Sequence, residues 1–179
     1  MNKKTKESYE YRCEMAAMHD DFKKRLEKAY NSEQYVEVTW LCYAIFEQRI
    51  YRLIKKHIKK CPRPKKTNKD PISISTKICC IRKLSKVGYG AYSNFDMKLL
   101  DEISKWCKAR NILVHSLLDV STYRNYDKDF KTLASKGVQL VDQLYEESTK
   151  VRDWYYTENF GKFPDIKCKC TQRCIFEEK

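Results

Sequence analysis

The sequence predicts an all-α protein, a bundle of four long helices plus a short helix in up-down antiparallel order. Apolar residues recur at intervals of three and four along most of the 179-residue chain, which is the spacing of one α-helical face. The four glycines and four prolines are too few for a turn-rich β architecture. No alternation of apolar and polar residues extends beyond a few positions, so we expect no strand.

The first two helices are expected over residues 5–30 and 33–60. Asn31 is the expected N-cap of the second helix, because Gln34 follows it at the capping-box position. The apolar stripe expected along the second helix consists of Val36, Trp40, Ala44, Glu47, Tyr51, Ile54 and Ile58.

Prolines and glycines divide the middle of the chain. Three prolines and a basic run predict a loop over residues 61–75, which either is simply solvated or contacts phosphate. A short helix is expected over residues 76–86, ended by Gly88 and Gly90.

The third and fourth long helices complete the expected domain. Ser93 is the expected N-cap of a helix that runs to about residue 118, with Asp96 at its capping-box position. The last helix is expected over residues 127–159. Residues 1–160 are thus predicted to form one helical domain, and residues 161–179 a basic, cysteine-rich tail.

The sequence R-N-x-x-x-H in the third long helix is the strongest candidate for a functional site. Arg110 lies within an apolar stripe, where a guanidinium that cannot lose its charge must meet an anion or reach water. Asn111 and His115 are four residues apart and share a helical face, which Lys108 extends toward the N-terminus. This helix therefore presents a fixed cation, an amide and an imidazole that titrates near neutral pH. The competing interpretation is structural, with an arginine that snorkels from the core and a histidine that caps the last turn.

Glu47 and Ser116 are supporting candidates. Glu47 falls inside the stripe expected for the second helix, where it either pairs with Arg110 or lies at the edge and reaches water. Ser116 directly follows the histidine of the motif.

The net charge of +13 favours a polyanionic partner such as RNA, although a basic surface also serves solubility. The N-terminus lacks the apolar core of a signal peptide, and no apolar run is long enough to span a bilayer. Nine cysteines, an odd number that lies mostly in helical patterns, are typical of reduced thiols in a cytoplasmic protein. We therefore expect a cytoplasmic protein without a membrane partner.

The tail carries three cysteines, Cys168, Cys170 and Cys174, that zinc could bind. Structural zinc needs four ligands, usually in Cys-x2-Cys pairs, so the set is incomplete. No glycine-rich phosphate loop, His-Glu-x-x-His or serine-nucleophile motif is present. No cofactor is expected.

The long helices, the basic charge and the Arg110-Asn111-x-x-x-His115 motif resemble the HEPN superfamily, whose hallmark is an arginine followed after four to six residues by a histidine. Phe46-Glu47 is similar to the aromatic–acidic pair of an earlier core helix in that family. The resemblance covers roughly residues 5–160. The chain has Leu117 where one toxin branch of the family has tyrosine.

The resemblance implies metal-independent cleavage of RNA at the interface of a homodimer, with Arg110, Asn111 and His115 as catalytic residues. It also implies that the protein is the toxin of a defence or toxin–antitoxin pair, and that its partner is an antitoxin or a defence-system protein. Arg110 and His115 lie five residues apart, about 140° around a helix, so both face one cleft only if the arginine bends round or if a two-fold mate completes the site. The alternative is a non-catalytic module of the same fold that binds RNA or protein, or an unrelated basic helical scaffold.

Overall fold

The computed structural model describes residues 3–58, 73–116 and 126–157, with side chains described for 17–54, 73–116 and 126–154. These residues form helices α1 (Lys3–Asn31), α2 (Tyr35–Ile58), α3 (Ile74–Lys86), α4 (Met97–His115) and α5 (Tyr126–Thr157), with a 3₁₀ turn at Gly90–Asn94. The described part of the chain contains no strand, which confirms the all-α prediction and its four long helices plus a short one. The up-down antiparallel order and the division into a domain and a tail stay predictions.

The junction between α1 and α2 differs from the expected capping box. Asn31 is the last residue of α1, so it is not an N-cap. The backbone N–H of Gln34 donates to the carbonyl of Ala29 at 2.9 Å, and that of Glu33 donates to Tyr30 at 3.1 Å. This pair of bonds is a Schellman motif, in which Glu33 takes the left-handed position at φ 55° that glycine usually occupies.

Gly88 ends α3 as predicted, whereas Gly90 begins the 3₁₀ turn that follows. Gly88 adopts φ 65° and closes a second Schellman motif, with nothing within 4 Å of the place a Cβ would take. Gly90 adopts φ 51°, and a Cβ there would lie 1.9 Å from Cζ2 of Trp154. The ring of Trp154 also packs edge-on against Tyr89, with centroids 5.2 Å apart.

Asp96, and not Ser93, caps the start of α4. The carboxylate oxygen Oδ1 of Asp96 accepts hydrogen bonds from the backbone N–H groups of Lys98 at 2.8 Å and Leu99 at 3.3 Å. The hydroxyl of Ser93 donates instead to the carbonyl of Gly90 inside the 3₁₀ turn. The expected N-cap was wrong because the 3₁₀ turn delays the start of the helix by three residues.

The chain divides into two compact units, and α2, α4 and α5 each contribute residues to both. The first unit comprises Met1–Ile45 and Ala109–Val138, and its core contains Leu26, Ala29, Val38, Cys42, Ile45, Phe130 and Ala134. The second comprises Phe46–Lys108 and Gln139–Lys179, and its core contains Phe46, Ile50, Ile54, Ile78, Ile81, Leu84, Leu100, Ile103, Leu140 and Leu144.

The expected stripe of α2 was wrong for Trp40 and Ala44, while Ile54 is buried as expected and the side chain of Ile58 lies outside the described residues. The remaining positions of the stripe, Val36, Glu47 and Tyr51, are half-buried. Trp40 is 52% exposed, and Ala44 is also exposed. Among the described side chains of α2, the buried ones are Val38, Thr39, Cys42, Ile45, Phe46, Ile50 and Ile54. Apolar residues surround the first half of this helix on nearly all sides, so periodicity alone does not select one face.

No helix in the described ranges has the length and apolar character needed to cross a membrane.

Candidate functional site

The last two turns of α4 present the three motif residues in different environments. The helix buries Leu99, Ile103 and Trp106 as expected, and this stripe carries Arg110 to a buried position with 8% exposure. Asn111 and His115 follow on the exposed surface. The structure therefore confirms that Arg110 lies in the apolar stripe.

Aromatic rings surround the guanidinium of Arg110. Its Cζ lies 4.0 Å from the ring centroid of Trp40 and 5.0 Å from that of Tyr43, both on α2. Its Nη1 donates to Oδ1 of Asn111 at 3.1 Å. We expected a carboxylate or water as the partner of this charge, but the described residues supply π faces and one amide oxygen. Cation–π contacts of this kind contribute about 0.5–2 kcal/mol each, more when they are shielded from water.

One edge of the Arg110 guanidinium lacks partners. Nε and Nη2 are buried, and neither has a hydrogen-bond partner among the described residues. These two nitrogens lie on the same side of the planar group and form the fork that binds carboxylate or phosphate oxygens in bidentate fashion. Each buried donor left unpaired costs roughly 1–3 kcal/mol, so this arrangement is expensive without an anion. Arg110 is buried, as a structural arginine would be, but two of its nitrogens lack hydrogen-bond partners among the described residues.

His115 is exposed at the C-terminal end of α4, and its imidazole makes no hydrogen bond or ion pair with a described residue. The side chain is therefore accessible to solvent and to ligands. Arg110 and His115 do not share a helical face, since five residues correspond to a rotation of about 140°. Asn111, four residues before His115, lies on the imidazole's side of the helix and also holds the guanidinium.

No contact that the structure describes joins the side chain of Glu47, Lys108 or Ser116 to that of Arg110, Asn111 or His115. The Glu47 carboxylate accepts a hydrogen bond from Nζ of Lys77 at 2.8 Å, a partner that the sequence analysis did not predict. Lys108 is exposed, and the hydroxyl of Ser116 donates to the carbonyl of Leu113 at 2.9 Å. The catalytic and supporting roles of all six residues stay predictions.

An open cleft of about 500 Å³ lies in the same compact unit as Arg110 and shares Trp40 with it. It is lined by Glu33, Gln34, Tyr35, Val36, Glu37, Trp40, Asp127 and Phe130. Sequence analysis missed this cleft, and it also missed Trp40 and Tyr43 as partners of Arg110. The spacing Trp40-x-x-Tyr43 places both rings on one side of a helix and was the available signal.

No group of three His, Cys, Asp or Glu side chains within the described ranges is arranged to hold a metal ion. The zinc candidates Cys168, Cys170 and Cys174 lie outside those ranges.

Comparison with family models, with curated proteins and with solved structures finds no match to this chain.

Proposed function

We propose that this protein is an RNA-binding endoribonuclease of HEPN type, in which Arg110, Asn111 and His115 act on one phosphodiester. The observation that carries the proposal is the unpartnered Nε–Nη2 edge of the buried Arg110, whose guanidinium also contacts the exposed Asn111. The exposed imidazole of His115 follows one turn further along the same helix. Carboxylate and phosphate oxygens both fit that edge, and the net charge of +13 favours a polyphosphate ligand.

The proposed reaction needs only proton transfer and charge stabilisation. The 2′-OH of RNA loses its proton to an imidazole and attacks phosphorus, and the bond to the 5′-oxygen breaks as that oxygen gains a proton. The products are a 2′,3′-cyclic phosphate and a 5′-OH. His115 supplies one imidazole, and His115 of a second copy supplies the other, so the proposal includes a homodimer. Arg110 stabilises the negative charge that develops on the phosphate oxygens.

Access to Arg110 limits how this site would operate. In the described conformation the fork is covered, so a phosphate reaches it only after neighbouring side chains move. Trp40 lies over the guanidinium and is 52% exposed, which gives this indole room to swing toward solvent.

The second candidate function is a non-catalytic module that binds RNA or a protein partner, such as an antitoxin or a defence-system protein. The enclosure of Arg110 between Trp40 and Tyr43 favours it, because such contacts also hold α4 against α2 within their common unit. In this case Arg110 is structural, and the basic surface alone provides affinity for RNA.

Cleavage assays separate the two functions. Purified protein is incubated with RNA in EDTA, beside a His115→Ala variant and a Lys105→Ala variant that removes an exposed residue of α4 outside the motif. We expect cyclic-phosphate products, a loss of roughly 10²–10⁴-fold in His115→Ala, and little change in Lys105→Ala. Arg110→Lys should also be impaired, because it keeps the charge but loses the planar fork. Cleavage that survives His115→Ala, or stops in EDTA, contradicts the catalytic proposal.

Binding and assembly need their own measurements. RNA affinity should fall steeply between low and physiological salt, because lysines and arginines displace counterions from the phosphates. Light scattering should give a dimer at micromolar concentration. RNA binding without cleavage would favour the module, and a flat salt dependence would contradict both the nuclease and the RNA-binding form of the module.

A further inference from the structure

Trp40 is the most exposed of the two rings that contact the Arg110 guanidinium. The indole is 52% exposed, whereas Arg110 is 8% exposed, and the ring centroid lies 4.0 Å from Cζ of the arginine. A buried group in contact with a half-exposed ring is shielded from water partly by that ring. Trp40 therefore helps to cover the cation to which the proposed function assigns a phosphate.

One specific contact holds the indole of Trp40 in this position. Within the described residues the indole makes no hydrogen bond and stacks on no other ring, so its cation–π contact with Arg110 is the one specific interaction that it has. Tyr43 contacts the same guanidinium at 5.0 Å, but it is half-buried and makes a further interaction elsewhere. Of the two rings, Trp40 therefore loses less when it moves.

The cleft that Trp40 lines gives the indole a second place to lie. It occupies about 500 Å³, is open to solvent and is lined by Trp40 but not by Arg110. A rotation about the Cα–Cβ bond moves a side chain from one staggered position to another without a change of backbone. The indole can therefore leave the guanidinium for this open space while α2 and α4 stay where they are.

We propose that Trp40 is a gate that regulates the anion site at Arg110. The site is closed while the indole lies over the guanidinium, and a phosphate binds the unpartnered Nε–Nη2 edge when the indole has moved into the cleft. This inference rests on the proposed function, because it concerns the same site and adds its regulation. Closure reduces the apparent affinity by the fraction of molecules that are open, and a cation–π contact of ordinary strength makes that factor roughly two to thirty.

NMR spectroscopy of the full-length protein tests the movement of the gate, with inorganic phosphate as the probe at constant ionic strength. The chain has three tryptophans, Trp40, Trp106 and Trp154, which give three indole N–H signals. Trp106 and Trp154 belong to the other compact unit and serve as internal controls. We expect phosphate to shift the indole signal of Trp40 alone, and to shift no indole signal in Arg110→Met.

Calorimetric titration with phosphate tests the energetic cost of the closed gate. Trp40→Ala removes the gate and should bind phosphate roughly two- to thirtyfold more tightly than the wild type. Trp40→Phe keeps a ring with a weaker π face, so its affinity should lie between those two. The matched control is Ile112→Ala, which removes an apolar side chain that is 71% exposed on the same helix as Arg110 and should change the affinity less than twofold.

An affinity of Trp40→Ala for phosphate that equals or falls below that of the wild type would overturn the proposal. A titration that shifts all three indole signals, or none, would overturn it too. If acetate shifts the Trp40 signal and phosphate does not, the site takes a carboxylate and a phosphate gate is wrong. RNA cleavage that depends on His115, with a phosphate affinity that Trp40→Ala leaves unchanged, refutes the gate alone. A gated phosphate site without RNA cleavage supports the gate and refutes the nuclease.

Discussion

Replacing Arg110 by methionine tests whether this arginine stabilises the fold or is retained for binding. The change removes contacts with two rings, worth about 1–4 kcal/mol together, and one hydrogen bond to Asn111, worth about 1 kcal/mol. It also removes two buried, unpartnered nitrogens, each costing roughly 1–3 kcal/mol. Methionine is flexible and apolar, so it fills most of the vacated space.

The stabilisation that is lost and the penalty that is relieved are of similar size, so the free energy of unfolding of Arg110→Met should stay within about 2 kcal/mol of the wild type. Urea denaturation followed by circular dichroism measures this difference, with Lys108→Met as a control for loss of an exposed charge on the same helix. The control should stay within about 0.5 kcal/mol of the wild type. A loss of more than about 2 kcal/mol in Arg110→Met would refute the reasoning, because a satisfied buried arginine behaves that way.

A phosphate titration separates the two roles further. If the unpartnered edge accepts a phosphate, inorganic phosphate should raise the melting temperature of the wild type by mass action and leave that of Arg110→Met unchanged. If inorganic phosphate raises the melting temperature of both proteins equally, it binds at a site that does not include Arg110, and a binding role for Arg110 is contradicted.

Three other predictions concern stability and charge. Gly90→Ala should destabilise the protein more than Gly88→Ala. Both variants replace a left-handed glycine, but only at Gly90 does the indole of Trp154 lie 1.9 Å from the new Cβ. Equal decreases in the free energy of unfolding of the two variants would contradict this. Asp96→Ala should lower the free energy of unfolding by about 1 kcal/mol through loss of the α4 N-cap, and a change below about 0.3 kcal/mol would argue against capping. NMR titration should show a pKa for Lys131 above 10.5 that falls in Tyr35→Phe. Because the folded pKa is raised, the stability from this contact is present below pH 10.5 and is lost as the pH rises through the folded pKa. If the pKa of Lys131 is the same in Tyr35→Phe as in the wild type, Tyr35 does not stabilise the charged lysine.

The sequence by itself determined the helices and the position of the motif. Helical periodicity, few glycines and few prolines predicted the four long helices and the short one, because these signals are local. The stripe through Leu99, Ile103 and Trp106 also placed Arg110 in a buried position, since side chains at these spacings share a face. The terminal glycine Gly88 was predictable for the same reason, because its left-handed backbone depends on residues a few positions away.

Only the tertiary structure decided which face of α2 is buried and what Arg110 contacts. Apolar residues occupy most sides of α2 near Trp40, so the choice of face depends on which neighbouring helices supply a complementary surface. Packing left Trp40 half exposed and placed its ring over the guanidinium, a contact across 70 residues that no local pattern specifies. The cleft likewise joins the first turns of α2 and α5, which are about 90 residues apart. Local periodicity fixes where a helix is apolar, whereas the partner of a buried charge is fixed by side chains that meet only when distant helices pack.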